Sequence, residues 1–195
     1  MIKIRQKTNT AVELSRNKEG VVFIEATGLA ELYWGMGYCH AMDRGLQMLL
    51  TRILGQGRAC ECLTDSEEML GIDRFFRRMN WSGRMNGQFD SLDPETLGLV
   101  QNYCAGVNAK FKKKFPWELK LLGVEYEPWR VEDVLLMTRM IGYINLAQSQ
   151  GDLERLFLEM VQAGVDNARL DSLFPGAMDE VDRDQIERLS LGERI

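Results

Sequence analysis

Histidine occurs once in this chain of 195 residues, as His40. One imidazole leaves no Cys/His set for a zinc centre. No stretch approaches the ~18 uncharged apolar residues a helical membrane span needs. Basic residues are not in excess: 24 Lys and Arg stand against 29 Asp and Glu, a net charge of −5. No overall positive field therefore draws the chain to nucleic acid. The HExxH, P-loop, GxGxxG, EF-hand and GxSxG spacings are all missing. The opening MIKIRQ has neither the apolar stretch nor the cleavage site of a signal peptide. The expectation is a cytoplasmic protein, or a periplasmic or secreted one if a leader has been removed. The four cysteines are Cys39, Cys60, Cys62 and Cys104. The single-residue gap between Cys60 and Cys62 matches no common zinc or dithiol motif. Four free thiols are expected, which suits a reducing compartment.

What is present is an ordinary globular composition, with 45% apolar and 27% charged residues. The chain reads as one domain over 1–195, divided into a hairpin region (1–26), a helical region (27–170) and a polar C-terminal tail (171–195). In the tail, Ile186, Leu189 and Leu191 can still pack. The eleven methionines serve either as adaptable core filler or as part of a surface that another chain covers.

Period-2 alternation at Ile2 and Ile4, then at Val12 and Leu14, predicts strands. Turn residues Arg16 to Gly20 lead into the β-prone run Val21 to Ile24. From Gly28 the pattern turns helical, with a long helix through Gln47, Leu50 and Leu54 that Gly55 and Gly57 end or bend. A short segment over 61–69 and a helix over 71–79 follow. Asp93 and Pro94 form an N-cap and first helical position. The stripe Leu97, Val100, Tyr103, Cys104, Val107 continues that helix. Lys112 to Lys114 read as its solvated end. A short helix starts at Phe115, and a strongly apolar one runs over 131–147. Helical character continues over 153–161. A lone hairpin does not make a stable domain, so these strands are expected to join a sheet built mostly elsewhere.

A self-contained hydrolase needs a nucleophile with a base in reach. His40, followed by Ala41-Met42-Asp43-Arg44 in an apolar helix, reads as a hydrogen-bonded core histidine beside a buried ion pair. Asp43 and Arg44 are adjacent and so anchor different neighbours. No complete active site is visible from the residues alone.

The stretch Gly35 to Arg44, GMGYCHAMDR, resembles a signature of the penicillin acylase family, which reads roughly GyaHAqDR. Other elements of that family follow in order. Arg16, Gly20, Val21 and Ile24 match a strand-turn-strand element, although Val22 and Phe23 depart from its usual Pro and His. Gln47, Met48 and Arg52 come next, then Gly57, Arg58 and Glu61, then Asp73 and Arg77. Tyr103 with Gly106-Val107-Asn108-Ala109, Pro116 to Leu119, and Pro128-Trp129 with Asp133 complete the set. The ordered matches cover residues 12–160.

The resemblance implies an α+β protein. It would be a mostly helical α subunit whose N-terminal hairpin joins the αββα sandwich of an N-terminal-nucleophile hydrolase heterodimer. It implies a self-processing precursor whose β subunit carries the serine nucleophile, its α-amino base and the oxyanion hole. This chain then contributes no catalytic residue. The implied reaction is hydrolysis of linear N-acyl amides, such as β-lactam side-chain amides or N-acyl-homoserine lactones, to an acid and an amine. Counted from Asp133, the acyl-facing positions are Gly142, Asn145 and Leu146. Gly142 either opens the acyl pocket or permits close helix packing. The family's calcium site, shared with the β chain, maps to Asp152, and no organic cofactor is implied. His40, Asp43 and Arg44 are signature residues with a structural role. The rival reading is a non-enzymatic helical interaction module or a catalytically inactive homologue.

Overall fold

A computed structural model describes residues 12–83, 88–89, 92–179 and 181–192, without the Gln148 side chain. The strand expected at Ile2 and Ile4 lies outside these residues. The chain divides into two compact units, 1–140 and 141–195. The boundary falls inside the region read from the sequence as one helical stretch.

In the first unit, β1 (Val12–Arg16) and β2 (Val22–Ala26) form an antiparallel hairpin with Leu14 opposite Ile24. Its turn is closed by Asn17, whose Oδ1 accepts from the Val21 N–H, and by Gly20 at φ 84°. A positive φ is a conformation that only glycine adopts freely. Val12 and Leu14 are buried with Tyr38 and Cys39 of α1 (Leu29–Gly55). Phe23, on the other face, is exposed. That alternation is what a sheet covered on one side requires.

Helix α1 packs chiefly along α4 (Pro94–Lys113). The two backbones approach closely because the crossing is made of glycines. A Cβ on Gly37 would lie 2.0 Å from the Tyr103 carbonyl oxygen, and one on Gly106 would lie 1.9 Å from that of Trp34. Two of the matched motifs thus meet at one backbone contact. Arg44 leaves helical geometry (φ −127°, ψ 17°), and beside it Gly45 leaves room for the Phe111 ring. Such a local break is a recognised cause of a kink.

Around this pair lie α2 (Ala59–Cys62), α3 (Glu67–Met79), α5 (Trp117–Leu121) and α6 (Val131–Gly142). The core joins Leu49, Ile53, Val107, Phe111, Leu119 and Trp129, among others. As expected, Asp93 caps α4, accepting from the Thr96 N–H at 2.9 Å. The predicted helix at 71–79 begins earlier, at Glu67, where Ser66 accepts from the Met69 N–H. Ser66 is the favoured type of N-cap residue.

The second unit continues from the end of α6. A π-helical turn (Tyr143–Ala147) leads into α7 (Gln148–Gln162), followed by α8 (Asn167–Leu173) and α9 (Arg183–Glu187). Phe157, Val161, Leu170 and Ile186 form its core. Arg183 holds it together, donating to the Val161 and Val165 carbonyls and to Asn167 Oδ1. No helix among the described residues is long and apolar enough to cross a membrane.

Candidate functional site

The candidate residues fall into two groups, one in each unit. His40, Asp43 and Arg44 belong to the first. They are exposed, not buried, which corrects the expectation of a core histidine beside a buried ion pair. Two sides of α1 are covered, by the hairpin and by α4. Positions 40, 43, 44 and 47 follow the i, i+3, i+4, i+7 spacing of one helix face, and that face is the remaining one. His40 Nδ1 lies 3.0 Å from Tyr103 Oη. Asp43 pairs with Arg16 of the hairpin rather than with Arg44. The adjacent acid and base therefore do not pair with each other, and Asp43 ties the strand-turn-strand element to the signature helix.

The buried ion pair lies about two turns further along α1 and links residues distant in sequence. Arg52 and Asp133 are each 5% exposed. Arg52 Nη1 is 3.4 Å from Asp133 Oδ2 and equally far from the Glu127 and Pro128 carbonyls. Its guanidinium carbon sits 5.3 Å from the centre of the buried Trp129 ring, a cation–π distance. Asp133 also accepts from the Arg130 N–H at 2.8 Å, capping α6. Burial pushes the Asp133 carboxyl up from its ordinary range, while the Arg130 N–H and Arg52 oppose that rise. Asn108 grips the same segment from α4. Its Oδ1 accepts from the Trp129 N–H and the Tyr126 hydroxyl, and its Nδ2 donates to the Trp129 carbonyl. Arg52, Asp133 and Asn108 all stand in the matched motifs, but neither contact could be read from local spacing, since the partners stand 81 and 21 positions apart.

A second bracket explains five further motif residues. The Asp73 carboxylate accepts from the Ala59 and Cys60 N–H groups, at 2.6 and 3.0 Å, and so caps α2 from another helix. Arg77 Nε donates to the Gly57 carbonyl at 2.8 Å. Arg58 pairs with both Glu61 and Glu127. Hydrogen bonding to Arg58 lowers both glutamates, and their combined pull raises the arginine. The four cysteines are free thiols, as expected. Burial raises Cys39 and Cys62, and it takes Cys104 up to about 12. A nucleophilic cysteine requires the opposite shift.

Gly142, Asn145, Leu146 and Asp152 belong to the second unit. Gly142 ends α6, and Asn145 and Leu146 lie in the π turn. A Cβ on Gly142 would meet nothing within 4 Å. Close helix packing among the described residues therefore does not require a glycine there, unlike at Gly37. Leu146 is 71% exposed, with Ile141, Ile144, Leu153 and Leu156 also exposed along the same stretch. Asn145 Nδ2 donates to the Ile141 carbonyl at 2.9 Å, so its amide lies back along the helix. Sequence periodicity gave no sign of the π turn, a feature often found at functional sites. Asp152 is exposed. No group of three or more His, Cys, Asp or Glu side chains among the described residues could hold a metal ion. This chain's described residues do not form a calcium site by themselves.

Comparison with known proteins adds three findings. The penicillin amidase family model matches residues 11–186. An acyl-homoserine lactone acylase, QuiP, of Pseudomonas putida is 31% identical over 191 residues, covering 94% of this chain and 23% of its own length. Penicillin acylase 2 proenzyme of Pseudomonas sp. (strain SE83) is 35% identical over 135 residues, covering 68% of this chain and 17% of its own. The chain thus spans less than a quarter of the length of these relatives. In fold, it is similar to a thermostable penicillin G acylase from Alcaligenes faecalis. The TM-score is 0.62 at 18% identity, covering 95% of this chain and 96% of that one.

Proposed function

The chain belongs to the penicillin amidase family, and on that premise we propose that it is the α subunit of a two-chain amidohydrolase and forms one wall of its acyl pocket. The observation that carries this reading is the exposed apolar stretch around the π turn. Ile141, Ile144 and Leu146 are 54%, 46% and 71% exposed, beside a glycine with open space over it. Apolar side chains gathered this way mark a surface that a partner or ligand covers. In the proposed protein a β chain covers part of it, and the acyl group of the substrate lies over Gly142 and Leu146, with Asn145 beside them. The hairpin, two strands among the described residues, extends a sheet of the β chain.

The chemistry resides on the β chain. Its N-terminal serine hydroxyl attacks the amide carbonyl and passes its proton to the serine's own α-amino group. The tetrahedral oxyanion is held by N–H donors, and it collapses as the amine leaves with that proton. Water then attacks the acyl ester, releasing the carboxylic acid and the serine. This chain's part is to fix which acyl group fits. The candidate substrates are acylated β-lactams, N-acyl-homoserine lactones and related linear amides. A calcium ion, if the protein holds one, takes Asp152 together with ligands of the β chain.

Gly142→Phe tests the pocket in the protein purified with its second chain. A ring at this position fills volume, and overpacking costs about 1–3 kcal/mol. At about 1.4 kcal/mol per factor of ten, long-chain amides lose roughly ten- to a hundredfold in kcat/KM. Short acyl amides change little. An equal loss at every acyl length would remove Gly142 from the pocket. Mass spectrometry of the same preparation is expected to find a second, larger chain beginning with serine. Finding both chains but no hydrolysis of any acyl amide would favour the inactive-homologue reading.

A further inference from the structure

The segment from Lys110 to Leu122 carries five lysines and one glutamate, in a chain whose net charge is −5. The sequence alone gave Lys112 to Lys114 no role beyond ending α4. The structure adds what lies beside them. In α5, Trp117 and Leu121 are 66% and 78% exposed, and Leu122 is 52% exposed just after it. Trp117, Lys120 and Leu121 stand at i, i+3 and i+4 and so share the outward face of the helix. The opposite side is fixed by Leu119, which is 1% exposed and belongs to the core. The apolar side chains are thus held outward by a rigid mounting.

Lysines ring this tip. A hollow of about 630 Å³ lies to one side, edged by Lys112, Lys113 and Lys120, with Glu125 as its single acid. Another of about 440 Å³ is edged by Lys110, Lys114 and Trp117, with Asp43 and Glu118 as its acids. Asp43 is already paired with Arg16. The lysines crowd one another: burial lowers Lys110 first, and Lys114 and Lys113 lower it further.

We propose that this tip is a docking surface for an anionic lipid bilayer. A tryptophan and two leucines enter the headgroup boundary, and the surrounding lysines meet lipid phosphates. Trp and Leu with flanking Lys is the side-chain set that settles at a membrane interface. The charge pattern favours lipid over a second protein surface. A second exposed apolar stretch, Ile141 to Leu156, carries one base, Arg155, against Asp152 and Glu154. The α5 tip joins strongly exposed apolar groups to a ring of lysines. The acidic remainder of the chain is repelled from the same membrane, so the field orients the molecule with this tip inward.

The experiment uses the protein with any chain that copurifies. Binding is measured by sedimentation with phosphatidylcholine vesicles, with and without phosphatidylglycerol, at two salt concentrations. The expected result is binding that requires phosphatidylglycerol and weakens with salt, with a blue shift in tryptophan emission. Trp117→Phe abolishes the shift while leaving the far-UV spectrum unchanged. Each lysine near an anionic surface is worth about a fivefold change in partition. Replacing Lys112, Lys113 and Lys120 by alanine together lowers binding by roughly a hundredfold. These lysines are exposed, so the variant folds. No binding, or binding indifferent to phosphatidylglycerol, overturns the proposal. So does a Trp117 already shielded from acrylamide before vesicles are added, since a protein partner then covers the tip. The measurement does not involve amide hydrolysis and stands whether or not the chain walls an acyl pocket.

Discussion

Replacing Asp133 with alanine separates a structural anchor from a surface charge. Arg52 is 5% exposed and keeps its charge at any accessible pH. Without Asp133 it retains only the Glu127 and Pro128 carbonyls, at 3.4 to 3.5 Å, and the face of Trp129. The Arg130 N–H loses its acceptor at the same time. Removing one partner of a buried pair costs about 3–5 kcal/mol. The long 3.4 Å contact argues for the lower end, about 3 kcal/mol. For a cooperative unit of this chain's length, about 2–4 °C of Tm is lost per kcal/mol. The expected fall is therefore roughly 6–12 °C, read by circular dichroism on the purified protein. The double variant Arg52→Met with Asp133→Leu removes both charges and fills the space, and it should recover most of the loss. A fall of less than about 2 °C for Asp133→Ala, with the fold intact, would mean that the carbonyls and the indole suffice, and the anchor argument would be wrong.

Asn108→Ala deletes three hydrogen bonds to the Tyr126–Trp129 segment. At about 0.5–1.5 kcal/mol each, a stability loss of roughly 2–4 kcal/mol should appear in the urea midpoint, and Asn108→Asp, which keeps the acceptor, should lose less. Gly106→Ala forces a methyl group against the Trp34 carbonyl. Neither backbone can turn aside as a side chain would, so the yield of folded protein should drop sharply, whereas Gly142→Ala should leave it unchanged. Glu127 and Asp133 give opposite pH dependences. The Glu127 carboxyl is held low by Arg58, so its contribution is present above the ordinary glutamate range and is lost as pH falls through its lowered value. Glu127→Gln flattens that acid limb of a Tm–pH curve. The Asp133 carboxyl is raised by burial, so its contribution is largest at low pH and declines as pH rises through its titration. Asp133→Asn removes that decline.

The parts of this fold legible in the sequence are those decided within a few residues. Asp93 and Pro94 announce the start of α4 because capping is a contact between neighbours in sequence. The hairpin shows itself because a strand covered on one side alternates with period two. His40 was misread for the same reason. Its apolar neighbours Tyr38, Cys39 and Ala41 are buried, yet the residue between them faces outward, and neighbours alone do not say where a helix has its open side. Ionic partners were harder still. Arg52 and Asp133 were each visible as motif residues, but nothing local joins α1 to α6. Their pairing is a property of the chain path, as is the Asp73 cap on α2. The same holds for the α5 tip, where the lysines were plain in the sequence but the outward direction of Trp117 was not.

The acyl-facing positions were counted from Asp133 as though one regular helix ran through them. The turn at Tyr143–Ala147 is π-helical, and its i→i+5 bonding adds a residue to the turn. A wider turn swings the residue three positions on away from the starting face, while the residue four positions on stays close to it. Asn145 accordingly stacks with Ile141, four residues back, and bonds its carbonyl. Leu146, also four residues on, remains with Gly142 and is the most exposed apolar side chain of the turn. The three candidates are thus unequal. In the pocket proposed above, Gly142 would set the depth and Leu146 the apolar character. The Asn145 amide is engaged by the Ile141 carbonyl.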